Sequence, residues 1–225
     1  MYKRFVKRLL DLVLSGLAIL VLAIPMLLVA IAIKIDDPGP VMFKQKRAGK
    51  KKNGQLTYFN ILKFRSMKMS TPRDVPTHLL EDPDQYITRV GRIIRKTSID
   101  ELPQIYQVFT GKLSIIGPRP VLYLETELLN EREKYGANDV KPGISGWAQI
   151  NGRDEIDNYE KARLDGEYVA ALSAGKFKGF AMDLRCFFGT FLSVLRADGF
   201  VEGGRGQLMK QNAQKEEEKE EAVVG

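Results

Sequence analysis

The sequence predicts a helix-rich α/β (α+β) protein that is carried on a hydrophobic N-terminal helix. Residues 12–33 form an uncharged run of 22 residues, and two strand-like runs at 41–47 and 56–65 flank a basic loop. Apolar side chains recur at helical spacing through much of the remaining chain. We therefore expect a membrane helix over residues 1–35, a body over 36–201 and a polar, acidic tail over 202–225.

Composition limits the chemistry that the body can use. The formal charge of the 225-residue chain is +7, although residues 215–221 hold five glutamates against two lysines, so the rest is more basic still. A basic body predicts an anionic partner, which could be membrane lipid, nucleotide phosphate or nucleic acid. Cys186 is the only cysteine and His78 the only histidine, which excludes an intrachain disulfide and a zinc cluster.

The hydrophobic run has basic residues on both flanks. Lysines and arginines occupy positions 3, 4, 7 and 8 before it and several positions between 34 and 52 after it. The positive-inside rule then places both ends in the cytoplasm. Pro25 removes a backbone N–H near the middle of the run, so we predict a re-entrant helix that breaks at Ile24-Pro25 and returns to the same side. A single-pass helix with a tolerated proline is the alternative, whereas a cleaved signal peptide is disfavoured by the length of the run.

The next segments predict a hairpin and a loop. The runs 41–47 and 56–65 flank a loop that contains Asn53-Gly54, which is a hairpin signal. Residues 70–84 contain three prolines and predict a loop that acts as a lid or as a linker.

The remaining body predicts amphipathic helices. Residues 86–96 place Arg89, Arg92 and Arg95 on one helical face, opposite an apolar stripe. Further helices are predicted over 122–135 and 156–174. Residues 177–195 are rich in phenylalanine but interrupted by charges, which predicts a core helix or one that lies in the membrane interface.

Two adjacent carboxylates, Asp100 and Glu101, stand at a predicted helix start between Lys96 and Gln104. Ser98 and Glu101 have the spacing of a capping box, and in that interpretation the carboxylates only stabilise the helix. The cations that precede them favour a second interpretation, because a helix start beside several cations suits a phosphate.

Two further motifs favour phosphate binding. Arg119 lies between Pro118 and Pro120, so it is presented on a stiff loop that suits bidentate phosphate binding or a structural ion pair. Residues 141–153 form a glycine-rich loop with the only tryptophan, Trp147, which could bring backbone N–H groups and an aromatic face to a nucleotide or serve ordinary turns.

These features together predict phosphate chemistry at a membrane surface. A carboxylate can attack phosphorus and hold a covalent phosphoryl group. A neighbouring carboxylate can hold Mg²⁺, which binds few carboxylates and completes its shell with substrate phosphates.

Three segments at family-like spacing resemble the bacterial sugar transferase family, the monotopic phosphoglycosyl transferases. They are residues 96–104, 117–120 and 142–153, and the resemblance extends over about residues 2–201. With one hydrophobic run, the chain is similar to the minimal members, such as those of the bacillosamine-phosphate transferase type. The resemblance implies a re-entrant helix, interfacial amphipathic helices and a small hairpin-bearing body.

The resemblance also implies roles for individual residues. Asp100 is the expected nucleophile, which attacks the sugar-bearing phosphorus of a UDP-sugar and releases UMP, after which undecaprenyl phosphate takes the phosphosugar. Glu101 is the expected ligand of Mg²⁺. Ile24-Pro25 occupies the position of the helix-breaking dipeptide, where minimal members often have Ser-Pro, so a bend depends on Pro25 alone. The expected substrate-binding residues are Arg89, Arg92, Arg95, Lys96, Arg119, Trp147, Gln149 and Arg153.

The expected location is the bacterial cytoplasmic membrane, with the catalytic body in the cytoplasm and the lipid bilayer, a UDP-sugar and undecaprenyl phosphate as partners. No nucleic-acid partner is expected, and a homodimer is left open. The alternative from another class is a membrane-tethered basic protein that binds nucleic acid or anionic lipid, which explains the charge but not the Asp-Glu pair. Polytopic phosphoglycosyl transferases need more hydrophobic runs than this chain has. The sugar is not identified.

Overall fold

A computed structural model describes residues 2–71, 83–152 and 156–196. Within these ranges the chain forms seven α-helices and four short strands, which confirms a helix-rich fold with a small hairpin. The predicted 70–84 loop lies mostly outside the described residues. His78, Arg153, the boundary predicted at residue 201 and the acidic tail lie outside them entirely.

The first helix, α1, covers Lys7–Asp36 and follows a π-helical turn at Tyr2–Val6. It is the one helix in the described ranges that is long and apolar enough to cross a membrane. Its buried residues, Asp11, Ser15, Met26 and Ile33, are spaced so that they form a narrow stripe along the helix. Most other apolar side chains of α1 are exposed, so this helix presents an apolar surface that the body does not cover.

Pro25 lies inside α1, and the chain is helical on both sides of it. The helix is therefore not interrupted at Ile24-Pro25, where a break was predicted, whereas a bend of its axis at this proline stays a prediction. One proline removes a single backbone N–H, and the leucine, alanine and methionine residues around it continue the helix. The re-entrant course of α1 through a membrane stays a prediction.

Both ends of α1 are attached to the same body. Near its start, the Asp11 carboxylate accepts hydrogen bonds from the Ser114 hydroxyl at 2.9 Å and the Ile115 N–H at 2.9 Å. At its end, Asp36 accepts from the Val90 N–H at 2.8 Å, and Asp37 pairs with Arg65. The body therefore holds the helix at both termini.

The N-terminal turn is tied to the last helix through Asp183. This buried carboxylate accepts hydrogen bonds from the Tyr2 hydroxyl at 2.5 Å, the Lys7 ammonium at 2.8 Å and the Tyr168 hydroxyl at 2.8 Å. A buried carboxylate with this many donors is compensated for the loss of water.

The hairpin is formed by β1, Met42–Ala48, and β2, Tyr58–Phe64, which pair antiparallel with Met42 opposite Phe64. This confirms the predicted hairpin. Arg47 lies opposite Phe59 and Phe43 opposite Lys63. Because side chains alternate along a strand, Arg47 and Lys63 lie on the same face of the hairpin.

The helix α2, Arg89–Lys96, and the helix α3, Gln104–Phe109, are separated by a 3₁₀ turn at Ile99–Glu101. Ile94 of α2 packs with Met26 and Ile33 of α1 and with Phe64 of β2 in one apolar cluster. This cluster joins the N-terminal helix to the segment that carries the two adjacent carboxylates.

A second pair of strands completes the body. The strands β3, Ser114–Ile116, and β4, Gly143–Ser145, pair in parallel. The sequence analysis did not predict them, because three-residue strands flanked by glycine and proline have too few alternating positions to be recognised. The remaining helices are α4 at Thr126–Lys134, α5 at Trp147–Ile150, α6 at Asn158–Ser173 and α7 at Lys176–Arg196.

The last helix, α7, has a buried face and an exposed aromatic face. It buries Asp183 and Cys186, while Phe177, Phe187 and Phe191 are each more than half exposed. One face thus joins the core, and the other has the aromatic character expected of a helix at a membrane interface.

Candidate active site

The two adjacent carboxylates lie in a short turn that apolar residues anchor from both sides. Ile99 and Leu102 pack against the cluster shared by α1, β2 and α2. Before them, Ser98 has a left-handed backbone with φ of 55° and makes no capping hydrogen bond through its side chain. The capping-box interpretation of Ser98 and Glu101 is therefore wrong, and the carboxylates precede α3 rather than capping it.

Lys63 of β2 approaches both carboxylates. Its ammonium nitrogen lies 2.8 Å from Glu101 Oε1 and 3.9 Å from Asp100 Oδ2. Asp100 is only 5% exposed, and no side chain in the described ranges donates a hydrogen bond to it. The sequence analysis missed Lys63, because its proximity depends on how β2 packs against a turn more than 30 residues away in the chain.

The pKa of Asp100 is raised to about 6, chiefly because burial removes water from the carboxylate, with a further contribution from the negative charge of Glu101. Lys63 and Arg95 oppose this rise. The carboxylate is thus ionised near neutral pH but poorly solvated, which is the environment expected of a reactive group.

The loop that carries Arg119 is held at three consecutive carbonyl groups. Gly143 N–H donates to Pro118 O at 2.9 Å, Arg132 donates to Arg119 O at 2.9 Å and Arg47 donates to Pro120 O at 3.1 Å. With two prolines and three anchored carbonyls, little freedom remains in this backbone. The prediction that Arg119 is presented on a stiff loop agrees with this geometry.

A small, open cleft lies between the hairpin, the carboxylate turn and the Arg119 loop. It is lined by Arg47, Ile61, Lys63, Glu101, Gln104, Arg119, Pro120, Gly143 and Ile144. Asp100 does not line the cleft itself, but its carboxylate lies 3.9 Å from the ammonium of Lys63, which does.

The lining favours an anion. Burial and the nearby charge of Arg119 lower the pKa of the Arg47 guanidinium to about 10, so Arg47 stays charged at neutral pH. Arg47 Nε and Gln104 Nε2 are buried and donate no hydrogen bond within the described part of the chain. Unused donors beside two like charges form a site that an oxyanion would complete.

The other predicted substrate-binding residues are distributed around the body. Arg95 is close enough to Asp100 to affect its pKa, whereas Arg89, Arg92 and Lys96 are exposed on α2 and do not line the cleft. Trp147 and Gln149 also lie outside the lining; the Trp147 indole donates to Glu167 at 2.8 Å, and Gln149 donates to Ile144 O at 3.2 Å. Arg153 lies outside the described residues. Besides Lys63, the sequence analysis missed Arg47 and Gln104.

The carboxylates fit a Mg²⁺ ion only if a substrate contributes ligands. No group of three or more metal-binding side chains occurs in the described ranges, but Asp100 and Glu101 lie side by side and Glu101 lines the cleft. Mg²⁺ commonly uses one or two carboxylates and takes its other ligands from phosphates and water. The position between them is approached by the Lys63 ammonium, so a cation there competes with Lys63 for Glu101.

The fold and the cleft define a protein with an apolar N-terminal helix and a cleft lined by cations beside two adjacent carboxylates. The model of the family described as bacterial sugar transferase matches residues 2–197, and the chain belongs to this family. The matched range includes the helix α1, the hairpin and every residue of the cleft.

Two relatives match over most of their own length. The exopolysaccharide production protein PSS of Rhizobium leguminosarum bv. phaseoli is 40% identical over 211 residues, which cover 86% of this chain and 98% of the relative. The uncharacterized sugar transferase EpsL of Bacillus subtilis (strain 168) is 39% identical over 193 residues, which cover 86% of this chain and 89% of the relative.

A third relative is named for a reaction. The undecaprenyl-phosphate glucose phosphotransferase of Komagataeibacter xylinus is 44% identical over 177 residues, which cover 74% of this chain but 32% of the relative. The chain thus spans about a third of the length of that protein.

Proposed function

We propose that this chain transfers a sugar 1-phosphate from a UDP-sugar to undecaprenyl phosphate at the cytoplasmic membrane. The observation that carries the proposal is the position of Asp100, a buried carboxylate with few hydrogen bonds that lies 3.9 Å from Lys63, beside a cleft lined by Lys63, Arg47 and Arg119. The family and the names of relatives such as the glucose phosphotransferase support the same reaction class.

In the proposed first step, a carboxylate oxygen of Asp100 attacks the sugar-bearing phosphorus of the UDP-sugar. An Asp100–phosphorus bond forms while the bond from that phosphorus to the bridging oxygen breaks, and UMP leaves with this oxygen and its electron pair. In the second step, an oxygen of undecaprenyl phosphate attacks the same phosphorus. The bond to Asp100 then breaks, which gives undecaprenyl diphosphate sugar and restores the carboxylate.

The cleft supplies cations for this reaction. We expect Arg47 and Arg119 to bind the diphosphate, and the fixed backbone around Arg119 would limit the entropy lost on binding. Lys63 stands between the cleft and Asp100. When a phosphate enters, we expect the Lys63 ammonium to move towards it and uncover the carboxylate.

Glu101, together with Asp100, would hold Mg²⁺ at the mouth of the same site. The ion would neutralise phosphate charge and favour departure of UMP. Since Lys63 also contacts Glu101 at 2.8 Å, its movement towards the substrate would free this carboxylate for the metal.

We further propose that α1 enters and leaves the membrane on the cytoplasmic side. Support comes from the contacts of both helix ends with one body, at Asp11 near the start and at Asp36 and Asp37 near the end. Single cysteines placed at residue 3 and at residue 50 of a Cys186→Ser background should be labelled from the same side. Labelling from opposite sides would instead indicate that α1 crosses the membrane once.

The reaction is tested with the full-length protein in lipid nanodiscs, Mg²⁺, undecaprenyl phosphate and a panel of UDP-sugars. We expect UMP release with at least one sugar and formation of the corresponding lipid-linked diphosphate sugar. A chain that binds the ligands but releases no UMP with any sugar would instead be a membrane-tethered binding protein. The same panel identifies the sugar.

A further inference from the structure

Lys141 carries a charge that the described residues leave without a partner. Its side chain is half-buried just before β4, and its ammonium forms no hydrogen bond or ion pair within the described ranges. Burial and the positive charges of Arg8, Lys50 and Lys52 lower the pKa of this ammonium, and only Asp11 opposes them. A half-buried cation among other cations is unfavourable unless an anion joins them.

One of these cations, Arg8 at the start of α1, lies near the Lys141 ammonium. A Cβ built on Gly111 would lie 3.3 Å from Arg8 Nη2 and 3.5 Å from Lys141 Nζ, so the two nitrogens are at most about 7 Å apart. A phosphate that accepts hydrogen bonds of about 2.8 Å from both cations spans such a gap. Gly111 has φ of 81° and no side chain, which keeps the space between them open.

The nearby acids are already engaged. Asp11 accepts hydrogen bonds from Ser114 and from the backbone of Ile115. Glu133 pairs with Lys51, which lies between Lys50 and Lys52 in the chain. Among the described carboxylates, Asp11 alone opposes the positive charge at Lys141, and one carboxylate does not balance the four cations Arg8, Lys50, Lys52 and Lys141.

The surroundings of Arg8 indicate a lipid rather than a soluble anion. Its guanidinium donates to the carbonyls of Val108 and Phe109, at 2.7 Å each. The Phe109 ring is 43% exposed and lies beside Gly16 of α1, and Leu9 is 60% exposed. A ligand at this place meets cations on one side and uncovered apolar side chains on the other, as a phospholipid would.

We propose that Arg8 and Lys141, assisted by Lys50 and Lys52, bind the headgroup phosphate of an anionic bilayer phospholipid. This site is separate from the candidate active site, because none of the four cations lines the cleft. The proposal rests on the membrane placement of α1 and does not require the transfer reaction. A bound headgroup would hold the start of α1 and the end of α3 against the bilayer surface.

The test is native mass spectrometry of the full-length protein, released from nanodiscs that contain phosphatidylcholine with or without phosphatidylglycerol. Wild type should retain phosphatidylglycerol in preference to phosphatidylcholine. Lys141→Gln should weaken this retention about tenfold, since one of two direct charge-assisted contacts is lost. Lys178→Gln, which removes the same charge from an exposed position of α7, should retain the lipid as wild type does.

Other outcomes would overturn the lipid site. Equal retention of both lipids by wild type, or unchanged retention by Lys141→Gln, would show that the cluster has no specific ligand. Displacement of phosphatidylglycerol by millimolar inorganic phosphate would indicate a soluble anion, and displacement by an equimolar amount of undecaprenyl phosphate would indicate a second acceptor site. UMP release is measured on the same samples, so a failure of the proposed transfer reaction can be distinguished from a failure of lipid binding.

Discussion

Asp100 and Asp165 are both buried carboxylates in a basic protein, but their surroundings differ. Asp165 is 1% exposed, and one of its oxygens accepts from Arg132 Nε at 2.8 Å and Nη2 at 2.6 Å. Asp100 is 5% exposed, and its closest cation, Lys63, stands 3.9 Å away. Burial raises the pKa of both groups, but only Asp165 is held in a close ion pair.

The difference indicates that burial alone does not mark a reactive carboxylate. Arg132 uses its third nitrogen to hold the Arg119 carbonyl, so Asp165 supports the active site from a distance. Asp100 lies next to the cleft residues Lys63 and Glu101 and accepts no hydrogen bond from a side chain of the described residues. We infer that Asp165 stabilises the fold and that Asp100 reacts with the substrate. The same Asp→Asn substitution should therefore lower stability at position 165 and activity at position 100.

The largest expected effect is that of Asp100→Asn on turnover. Loss of the nucleophile should reduce UMP release at least about 10³-fold. The thermal unfolding midpoint at pH 7 should stay the same or rise, because the variant no longer buries a poorly compensated charge. Substantial turnover by this variant would remove Asp100 from the mechanism.

Asp165→Asn should have its main effect on stability. It leaves the Arg132 guanidinium buried without its carboxylate, a loss of about 3–5 kcal/mol in systems of this kind. We expect a clearly lower thermal midpoint, and any folded fraction should still release UMP. If Asp100→Asn were the less stable variant of the two, the assignment of the two carboxylates would be reversed.

The Lys63→Met variant tests the role of Asp100 through the pH dependence of activity. Lys63 lowers the pKa of Asp100, which burial has raised to about 6. Because attack needs the ionised form, wild-type kcat/KM should fall as the pH drops through about 6, and this acidic limb should move to higher pH in Lys63→Met. We also expect about 10–100-fold lower activity at neutral pH, from loss of a phosphate-binding cation.

The control for Lys63→Met is Lys44→Met. Lys44 is exposed on β1 and lies on the opposite face of the hairpin. Its pH profile, measured at the same Mg²⁺ concentration, should coincide with that of wild type. An acidic limb that does not move in Lys63→Met would assign the pH dependence to another group.

Among these variants, Asp36→Ala should change stability and activity least. Asp36 accepts from the Val90 N–H at the start of α2, whose other end leads into the carboxylate turn. Loss of this helix-end contact should cost about 1 kcal/mol of stability and lower kcat more than it raises KM. Asp157→Ala removes the corresponding contact at the start of α6 and should cost similar stability with unchanged kcat.

Much of the fold follows from local sequence patterns. The spacing of apolar and charged residues predicted α2, α4, α6 and α7, and the two strand-like runs predicted the hairpin. The adjacency of Asp100 and Glu101, and the proline clamp of Arg119, are visible in the sequence because they depend on neighbouring residues. The short parallel strands β3 and β4 were missed for the opposite reason, since each pairs with a distant segment.

The site residues that the sequence analysis missed are brought together by contacts between segments that are far apart in the chain. Lys63 and Arg47 enter the cleft because the hairpin register places them on one face and because β2 packs on the turn at Ile99–Glu101. Neither relation can be read from spacing along the chain. The left-handed backbone of Ser98 was likewise unpredictable, because serine rarely adopts this conformation.

The central claim is that Asp100 itself bonds to the sugar-bearing phosphorus. Full-length protein incubated with Mg²⁺ and its UDP-sugar, without undecaprenyl phosphate, should release one UMP per chain. Peptide mass spectrometry of the quenched sample should then find the phosphosugar on Asp100. UMP release that strictly requires undecaprenyl phosphate, or an adduct on another residue, would contradict the account.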